Sequence, residues 1–146
     1  MTIKRVVVVL PVAGNRVLLQ LRDMKEGIDF PGHWGFFGGG INCGETAEQA
    51  AQREIFEEIG FRPEILHQLH QEKIPDLESI YAFSYGCRLT VPLESLALME
   101  GLDFGMKSLE EVRTGRIYSD KMKADFPTVP SQFVERSMRK ALNLLS

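Results

Sequence analysis

The chain has 146 residues, of which 44% are hydrophobic and 25% charged, so it can bury one core and has an ordinary globular composition. Its formal net charge of -3 argues against a general binder of nucleic-acid polymers, which needs a field of Lys and Arg. No apolar run reaches the ~18 residues of a membrane span. We therefore predict a single domain over residues 1–146 that binds neither nucleic-acid polymers nor membranes.

The two cysteines, Cys43 and Cys87, are expected to be reduced, because two thiols in a chain of this size do not form a disulfide framework. A cytoplasmic location follows from this. The apolar run "VVVVL" stops at Pro11 and has no small-residue cleavage site after it. It is therefore predicted to be a strand and not a signal peptide.

The first part of the chain predicts a hairpin, a loop and a short strand. The runs "VVVVLPV" and "RVLLQLR" flank a turn signal at residues 13–15, so residues 3–22 are predicted to form a hairpin. The four consecutive valines predict a strand covered on both faces. Residues 23–34 contain Gly, Pro and mixed charge and are predicted to be a loop. The glycine run after "WGFF" predicts a short strand whose backbone approaches another group closely.

The rest of the chain predicts two more strands and three helices. Residues 46–59 predict a helix, because Thr46 and Gln49 form a capping-box sequence and Gly60 suits the C-cap. The segments "ILHQLHQEKI" and "SIYAFSYGCRLTV" are predicted strands, and "SLEEV" begins a short helix. Apolar residues recur at helical spacing over residues 131–145. This order predicts an α/β fold, with a mixed sheet and helices on both faces.

The central helix is predicted to bring three carboxylates onto one patch. At about 3.6 residues per turn, Glu57 and Glu58 lie one turn beyond Glu54. Ionised neighbours repel one another, so the patch is expected either to raise a pKa or to bind a cation. Oxygen ligands favour Mg²⁺ or Mn²⁺ over zinc. A solvated acidic face is the alternative. The run Gly38–Gly40 favours a site, because its backbone can approach a cation or a phosphate closely.

The same stretch resembles the Nudix box without a gap. The pattern runs, at the spacing of the box, through Gly39, Glu45, Arg53, Glu54, Ile55, Glu57, Glu58, Gly60 and Phe61. The resemblance covers residues 39–61, and the order of strands, loops and helices around it is also similar to the family's fold. It implies an α/β/α sandwich around a mixed β-sheet.

The resemblance implies a hydrolase that cleaves a nucleoside diphosphate linked to another group, with Mg²⁺ or Mn²⁺ and attack of water at phosphorus. By position in the box, Glu57 and Glu58 would be the principal metal ligands. Glu54 would be a further ligand or the base that deprotonates the water. The Gly38 carbonyl would complete the coordination of the metal. These roles agree with the cation that the acidic patch itself calls for.

Three further residues are expected to support catalysis. Arg53 and Glu45 would hold the helix against its preceding loop. Some members of the family draw one more acid from a distant loop, and Glu100-Gly101 in "LMEGLDFG" lies in a comparable place. Glu100 is therefore a candidate, with an ordinary loop acid as the alternative. Glu78 is the weaker competitor.

Candidate substrate contacts lie near the glycine run, where a ring beside a phosphate site can stack on a base. Trp34 is the preferred stacking residue, with core packing as the alternative for it and for Phe36. Arg22 is a candidate phosphate contact, with a solvated strand end as the alternative. Gly39 and Gly40 are candidates for backbone contact with the substrate. The aromatic cluster just before the glycine run includes Phe30, His33, Trp34 and Phe36.

The short chain, the compact loops and the Glu-Gly pair favour nucleoside triphosphates as substrates, including oxidised ones such as 8-oxo-dGTP. Nucleotide sugars and ADP-ribose are alternatives, and Pro75 lies close to the position where ADP-ribose branches carry a proline. A non-catalytic, nucleotide-sensing Nudix module is the alternative of another class. The complete set of box glutamates argues against it, because non-catalytic relatives usually lack some of them. A homodimer is the expected assembly.

Overall fold

A computed structural model describes residues 3–74 and 79–146 of the chain. Pro75 and Glu78, which bear on two of the predictions above, lie outside the described residues. The predicted hairpin is present as β1 (Lys4–Ala13) and β2 (Arg16–Leu21), which are antiparallel. The turn between them is tight because Gly14 adopts a left-handed φ of 59°.

Two short strands form at the glycine run, one just before it and one that contains it. They are β3 (Trp34–Gly35) and β4 (Phe37–Gly40), so the predicted loop ends one residue earlier than expected. β4 runs antiparallel to the first half of β1, with Val8 opposite Gly38. A Cβ atom on Gly38 would lie 2.0 Å from the Val7 carbonyl oxygen, so only glycine fits where these two backbones meet.

The predicted central helix is α1 (Ala47–Ile59). The Thr46 hydroxyl accepts a hydrogen bond from the Gln49 N–H, and the Gln49 side chain accepts one from the Thr46 N–H, which completes the capping box. Gly60 ends the helix in the left-handed conformation, with a φ of 70°. The local signals in the sequence therefore placed both ends of α1 correctly.

After α1, the two predicted strands and the two predicted helices are all present. β7 (Asp103–Lys107), β8 (Arg116–Ser119) and β9 (Ala124–Pro127) were not predicted, because strands of four or five residues are too short to show an alternating apolar pattern. A 3-10 helix at Leu93–Ser95 precedes β7. The elements are β5 (His67–Lys73), β6 (Ile80–Arg88), β7 (Asp103–Lys107), α2 (Leu109–Arg113), β8 (Arg116–Ser119), β9 (Ala124–Pro127) and α3 (Gln132–Leu145).

In the described part of the chain, seven strands form one mixed sheet, with the order β3-β2-β1-β6-β5. β4 also pairs with β1, and β7 also pairs with β2. β1 and β6 are parallel, whereas the other pairs in this sheet are antiparallel. β8 and β9 form a separate two-stranded sheet.

The helices α1 and α3 cover opposite faces of the large sheet. Ile55 and Ile59 of α1 belong to one buried cluster together with Val7 and Val9 of β1. Met138 of α3 belongs to the other cluster. This layering confirms the predicted α/β fold with a mixed sheet and helices on both faces.

The prediction that the four valines are fully covered on both faces is only half right. Val7 and Val9 are fully buried beneath α1. Val6 and Val8 are partly buried and line a cavity on the opposite face. The alternation of strand side chains therefore gives β1 one closed face and one face that is open to a ligand-sized space.

Two further observations bear on the predicted environment of the chain. No helix in residues 3–74 and 79–146 is long and apolar enough to cross a membrane. Cys43 is exposed, Cys87 is buried, and both are free thiols, as the sequence predicted.

Candidate active site

Glu58 is a buried carboxyl group, although the sequence placed it on an acidic helix face. Its side chain is 1% exposed and accepts hydrogen bonds from Gln20 Nε2 at 3.1 Å and the Gly38 N–H at 3.0 Å. Its pKa is raised to about 9, first because burial disfavours the ionised form, and then because Glu100 and Glu54 lie nearby. A cation in front of these acids would remove that penalty.

Glu54 lies one turn before Glu58 on α1, beside the glycine strand β4. A Cβ atom on Gly39 would lie 2.5 Å from the Glu54 carboxyl carbon, so the carboxylate fills the space that a side chain would take. Burial raises the pKa of Glu54, and Glu57 and Glu100 raise it further, while Arg53 acts in the opposite direction. Glu54 and Glu58 therefore both lie beside the glycine backbone of β4.

Arg53 ties the acidic helix to the loop before it. Its guanidinium donates to both carboxylate oxygens of Glu45, at 2.7 and 2.9 Å, and to the Gly40 carbonyl oxygen at 3.0 Å. It also donates to Glu54 at 2.8 Å and to Glu57 at 3.3 Å. The Gly40 carbonyl oxygen is thus already hydrogen-bonded to Arg53.

Glu45 is the best-satisfied acid of the group. Besides Arg53, it accepts a hydrogen bond from the Asn42 N–H at 2.9 Å. The hydrogen bonds from Arg53 and then Asn42 lower its pKa to about 2, so it stays ionised and paired. Glu57, by contrast, is half exposed, and among the described residues its carboxylate accepts hydrogen bonds only from Arg53, at 3.3 and 3.4 Å.

The loop that carries Glu100 is fastened to the end of α1. The Ala97 N–H donates to the Ile59 carbonyl at 3.1 Å, and the Met99 N–H donates to the Glu58 carbonyl at 2.9 Å. Gly101 then adopts a φ of 93° where its backbone passes β2. These contacts bring the candidate acid Glu100 beside α1, where it raises the pKa of Glu58.

Two adjoining spaces lie in front of these groups. The smaller, about 70 Å³, is polar, and the larger, about 180 Å³, is mostly apolar. Arg22 and Gly38 line both of them. Residues that line the polar pocket include Gln20, Arg22, Lys25, Gly38, Glu58 and Glu100. Arg22, the predicted phosphate contact, therefore lies at the junction between an acidic pocket and an apolar cavity.

The acids are suitable metal ligands but are not arranged as a finished metal site. In the described ranges, no three His, Cys, Asp or Glu side chains are placed to hold a metal ion. Arg53 draws Glu54 and Glu57 to one side, and Gln20 and Gly38 hold Glu58. The donor set still fits Mg²⁺ or Mn²⁺, because hard carboxylate oxygens with raised pKa values gain most from a hard cation.

The prediction that Trp34 stacks on the substrate is wrong. Its side chain is 1% exposed, and its indole N–H donates to the Ile117 carbonyl oxygen at 3.1 Å. The ammonium group of Lys107 lies 4.9 Å from the ring centroid. Trp34 is a core residue that joins β3 to β8, and the alternative of core packing holds for it. Of the neighbouring rings, Phe30 and Phe36 do line the apolar cavity.

Gln20 is a site residue that the sequence did not reveal. It is 4% exposed and donates to Glu58 and to the Phe36 carbonyl oxygen at 3.2 Å. Its one signal was a polar side chain inside the apolar strand "RVLLQLR". A buried polar group requires a hydrogen-bond partner, but the sequence does not show which residue supplies it.

The fold and the acidic site together define the class of protein. The NUDIX domain family matches residues 1–117, so the chain belongs to the Nudix hydrolase superfamily. This match confirms the resemblance that residues 39–61 carry.

Among curated relatives, the chain is 43% identical over 68 residues to an oxidized purine nucleoside triphosphate hydrolase of Danio rerio, which covers 47% of the chain and 42% of the relative. It is 70% identical over 30 residues to an RNA pyrophosphohydrolase of Baumannia cicadellinicola subsp. Homalodisca coagulata, covering 20% and 19%. The match to the nucleoside triphosphatase NudI of Enterobacter sp. (strain 638) is 58% over 36 residues, covering 25% and 26%. The chain thus spans less than half the length of these relatives.

Solved structures match over nearly the whole chain. A MutT NUDIX hydrolase from Burkholderia pseudomallei has a TM-score of 0.71 at 19% identity, covering 96% of this chain and 98% of that one. The NUDIX domain of Shewanella oneidensis NrtR, complexed with ADP ribose, has a TM-score of 0.69 at 19% identity, covering 100% and 90%. At these identities the likeness shows the fold alone, and it confirms the predicted Nudix fold.

Proposed function

We propose that the chain is a Mg²⁺- or Mn²⁺-dependent pyrophosphohydrolase that cleaves the diphosphate linkage of a nucleoside diphosphate derivative. The observation that carries this proposal is the buried Glu58 carboxyl group, whose pKa is raised to about 9 beside Glu54 and Glu100. Keeping such an acid cluster beside a pocket costs stability unless a cation binds there. The free thiols of Cys43 and Cys87 support a reducing, cytoplasmic location.

Each acid has a proposed role. Glu57 and Glu58 would hold the metal with the Gly38 carbonyl, and Glu54 would be a further ligand or would take the proton from the attacking water. When bound, the metal neutralises phosphate charge and lowers the pKa of water. Arg53 and Glu45 fix α1 against the loop through their two hydrogen bonds.

Glu100 and Arg22 are proposed to complete the site. Glu100 would add negative charge to the polar pocket, which Glu58 also lines. Arg22 would contact the phosphates where the pocket meets the apolar cavity, and the Gly39 backbone would lie alongside them. Gly40 is the least suited of the proposed substrate contacts, because Arg53 occupies its carbonyl oxygen.

Nucleoside triphosphates, including oxidised ones such as 8-oxo-dGTP, are the proposed substrates. Two of the relatives are named for nucleoside triphosphates, although their matches cover only 47% and 25% of this chain. ADP-ribose is the second candidate, because the NrtR domain with the same fold is complexed with it. Nucleotide sugars remain an alternative within the same chemistry.

A non-catalytic, nucleotide-sensing module is the alternative of another class. It would need no proton acceptor and no complete ligand set. Here Glu54, Glu57 and Glu58 are all present on α1; Glu58 lines the polar pocket, and Glu54 lies beside Gly39. This complete set supports catalysis.

A substrate panel tests the proposal. The protein is incubated with nucleoside triphosphates, 8-oxo-dGTP, ADP-ribose and nucleotide sugars in Mg²⁺ or Mn²⁺, and products are identified by ³¹P NMR. Glu57→Gln is expected to lower kcat by roughly 100-fold or more without a change in thermal stability, because it removes a ligand charge but no core volume.

Glu48→Gln is the matched control, since Glu48 is an exposed glutamate in the first turn of the same helix. It is expected to keep normal turnover. Near-normal turnover in Glu57→Gln would remove Glu57 from the ligand set. Tight nucleotide binding without any product would favour the sensing module.

A further inference from the structure

The apolar cavity is the part of the site that the proposed chemistry does not use. It has a volume of about 180 Å³ and lies on the face of β1 opposite α1. Asp29 and Ser131 add polar groups to a mostly apolar lining. The apolar walls include Val6, Val8, Phe30, Phe36, Ile80 and Phe133. Such walls suit a group with apolar faces, because most of the hydroxyls of a sugar would lose their water against apolar side chains, and the polar groups of the lining are few.

The position of the cavity says which part of a ligand would enter it. It shares Arg22 and Gly38 with the polar pocket that contains Glu58 and Glu100. A molecule whose phosphates lie before those acids therefore extends over Gly38 into the cavity. The occupant is the organic end of the phosphate-bearing substrate.

Phe30 stands out on the cavity wall. Its φ is 51°, a left-handed conformation that costs a bulky residue free energy and tends to be kept at functional sites. The Arg22 side chain fastens this segment by donating from Nε to the Asp29 carbonyl oxygen at 2.7 Å. The Phe30 ring meets the His33 ring edge-on, with 5.5 Å between centroids and 60° between planes. The ring is thus held in place before a ligand arrives.

We infer that Phe30 is the stacking platform for the nucleobase of the substrate, and that the cavity beside it takes a planar heteroaromatic ring and not a sugar. This inference rests on the proposed function. Phe30 takes over the role that the sequence gave to Trp34, whose ring is buried in the core. Every base has a π-face, so Phe30 strengthens the binding of nucleotides in general and does not choose among bases.

Two probes of binding in Mg²⁺ separate the base from the phosphates. Titration calorimetry measures Kd for α,β-methylene-dGTP and for methylenediphosphonate, which carries the same bridged phosphorus pair without a base. Phe30→Ala is expected to weaken the nucleotide by about 10- to 100-fold. The Kd of methylenediphosphonate is expected to stay unchanged. Phe30→Trp restores nucleotide affinity, because it keeps a stacking ring.

Two further variants guard against a simple loss of structure. Phe30→Gly removes the ring but adopts a positive φ without strain, so its Tm is expected to exceed that of Phe30→Ala while nucleotide binding stays weak. Tyr118→Ala removes an exposed ring from β8 that does not line the cavity, and this variant is expected to bind both probes normally.

The outcomes distinguish this inference from the proposed function. Unchanged nucleotide affinity in a folded Phe30→Gly, or equal weakening of both probes, overturns the stacking role alone. Wild-type protein that binds methylenediphosphonate as tightly as the nucleotide also overturns it and leaves the diphosphate chemistry standing. Failure of the wild type to bind either probe overturns the proposed function and the inference with it.

Discussion

Glu58 is the residue whose charge is most affected by folding. Its carboxyl group loses water, gains two hydrogen bonds and lies near Glu100 and Glu54, so its pKa rises from 4.5 to about 9. In the unfolded chain the same group ionises near its ordinary pKa. Folding without a metal therefore takes up a proton across the pH range between these two values.

The sign of the effect on stability follows from this proton uptake. A raised pKa means that the stability contributed by Glu58 is present in full below about pH 4.5 and is lost as the pH rises towards about 9. Glu58→Gln has no such charge. From about pH 5 to about pH 8, without metal, the wild type is expected to lose on the order of 4 kcal/mol of unfolding free energy relative to Glu58→Gln.

Urea unfolding at several pH values in EDTA measures this difference. Adding millimolar MgCl₂ is expected to reverse the order of the two proteins at the alkaline end, because an ion that binds only the folded wild type stabilises it. Parallel stability curves for wild type and Glu58→Gln in EDTA would show that Glu58 is ionised in the folded protein.

At the scale of elements, β4 shows three consecutive glycines in three different surroundings. A Cβ on Gly38 would meet the Val7 carbonyl oxygen at 2.0 Å, and one on Gly39 would meet the Glu54 carboxyl group at 2.5 Å. A Cβ on Gly40 would meet only the Lys4 Cε, at 3.9 Å. Gly38 is therefore constrained by the β1 backbone and Gly39 by the Glu54 side chain, whereas Gly40 has its nearest neighbour at an ordinary contact distance.

Three alanine variants should behave accordingly. Gly38→Ala is expected to lose about 3 kcal/mol or more of unfolding free energy, because two backbones must separate. Gly39→Ala is expected to remain folded but to lose activity, because the flexible Glu54 side chain moves aside.

Gly40→Ala is the matched control and is expected to keep both stability and activity, since its nearest neighbour is at an ordinary contact distance. Urea unfolding and kcat are measured for all three variants. A Gly39→Ala protein with full activity would show that the position of Glu54 is not critical. A stable Gly38→Ala would contradict the close approach of β1 and β4.

Elements whose signals are local were predictable from the sequence. The capping box of Thr46 and Gln49 begins α1, and Gly60 ends it, so both ends are set by residues at or near them. α2 likewise begins with a capping box at Ser108. β7 has no such signal, because its partner is β2, far away in the chain. A short polar strand becomes identifiable only when its distant partner is known.

The same distinction explains the site. The Nudix box gave the acids and the Arg53–Glu45 pair, because these lie within one contiguous stretch. Gln20 and Phe30 lie at the site although they come from other parts of the chain. Trp34 is instead buried in the core, where it donates a hydrogen bond to the Ile117 carbonyl oxygen. Burial depends on tertiary packing, which the sequence around Trp34 does not express.

For the whole molecule, the sheet carries two separate buried clusters on its two faces. Ile55 and Ile59 of α1 lie in one, and Met138 of α3 and Trp34 lie in the other. β1 contributes to both clusters, since Val9 faces α1 and Leu10 faces α3. A substitution that destabilises one cluster should therefore also destabilise the other.

Met138→Ala is expected to lose about 2–5 kcal/mol of unfolding free energy, because Met138 is fully buried. Trp34, the one tryptophan of the chain, reports on its own cluster by fluorescence, and hydrogen exchange of the α1 amides reports on the other. Both readouts are expected to shift by the same amount, as in one cooperative unit.

Leu144→Ala is the control from the same helix, since Leu144 is 49% exposed, and it is expected to change stability little. Unequal shifts in the two readouts after Met138→Ala would show that the chain unfolds in two steps. That result would contradict the prediction of a single domain over residues 1–146.

The alternation along β1 has a consequence for how such a protein changes over generations. Mutations at Val7 and Val9 endanger folding, because these side chains support α1. Mutations at Val6 and Val8 reshape the space offered to a ligand and spare that helix. Substitutions at every second position of this one strand can therefore change ligand preference while the packing of α1 on the sheet is preserved.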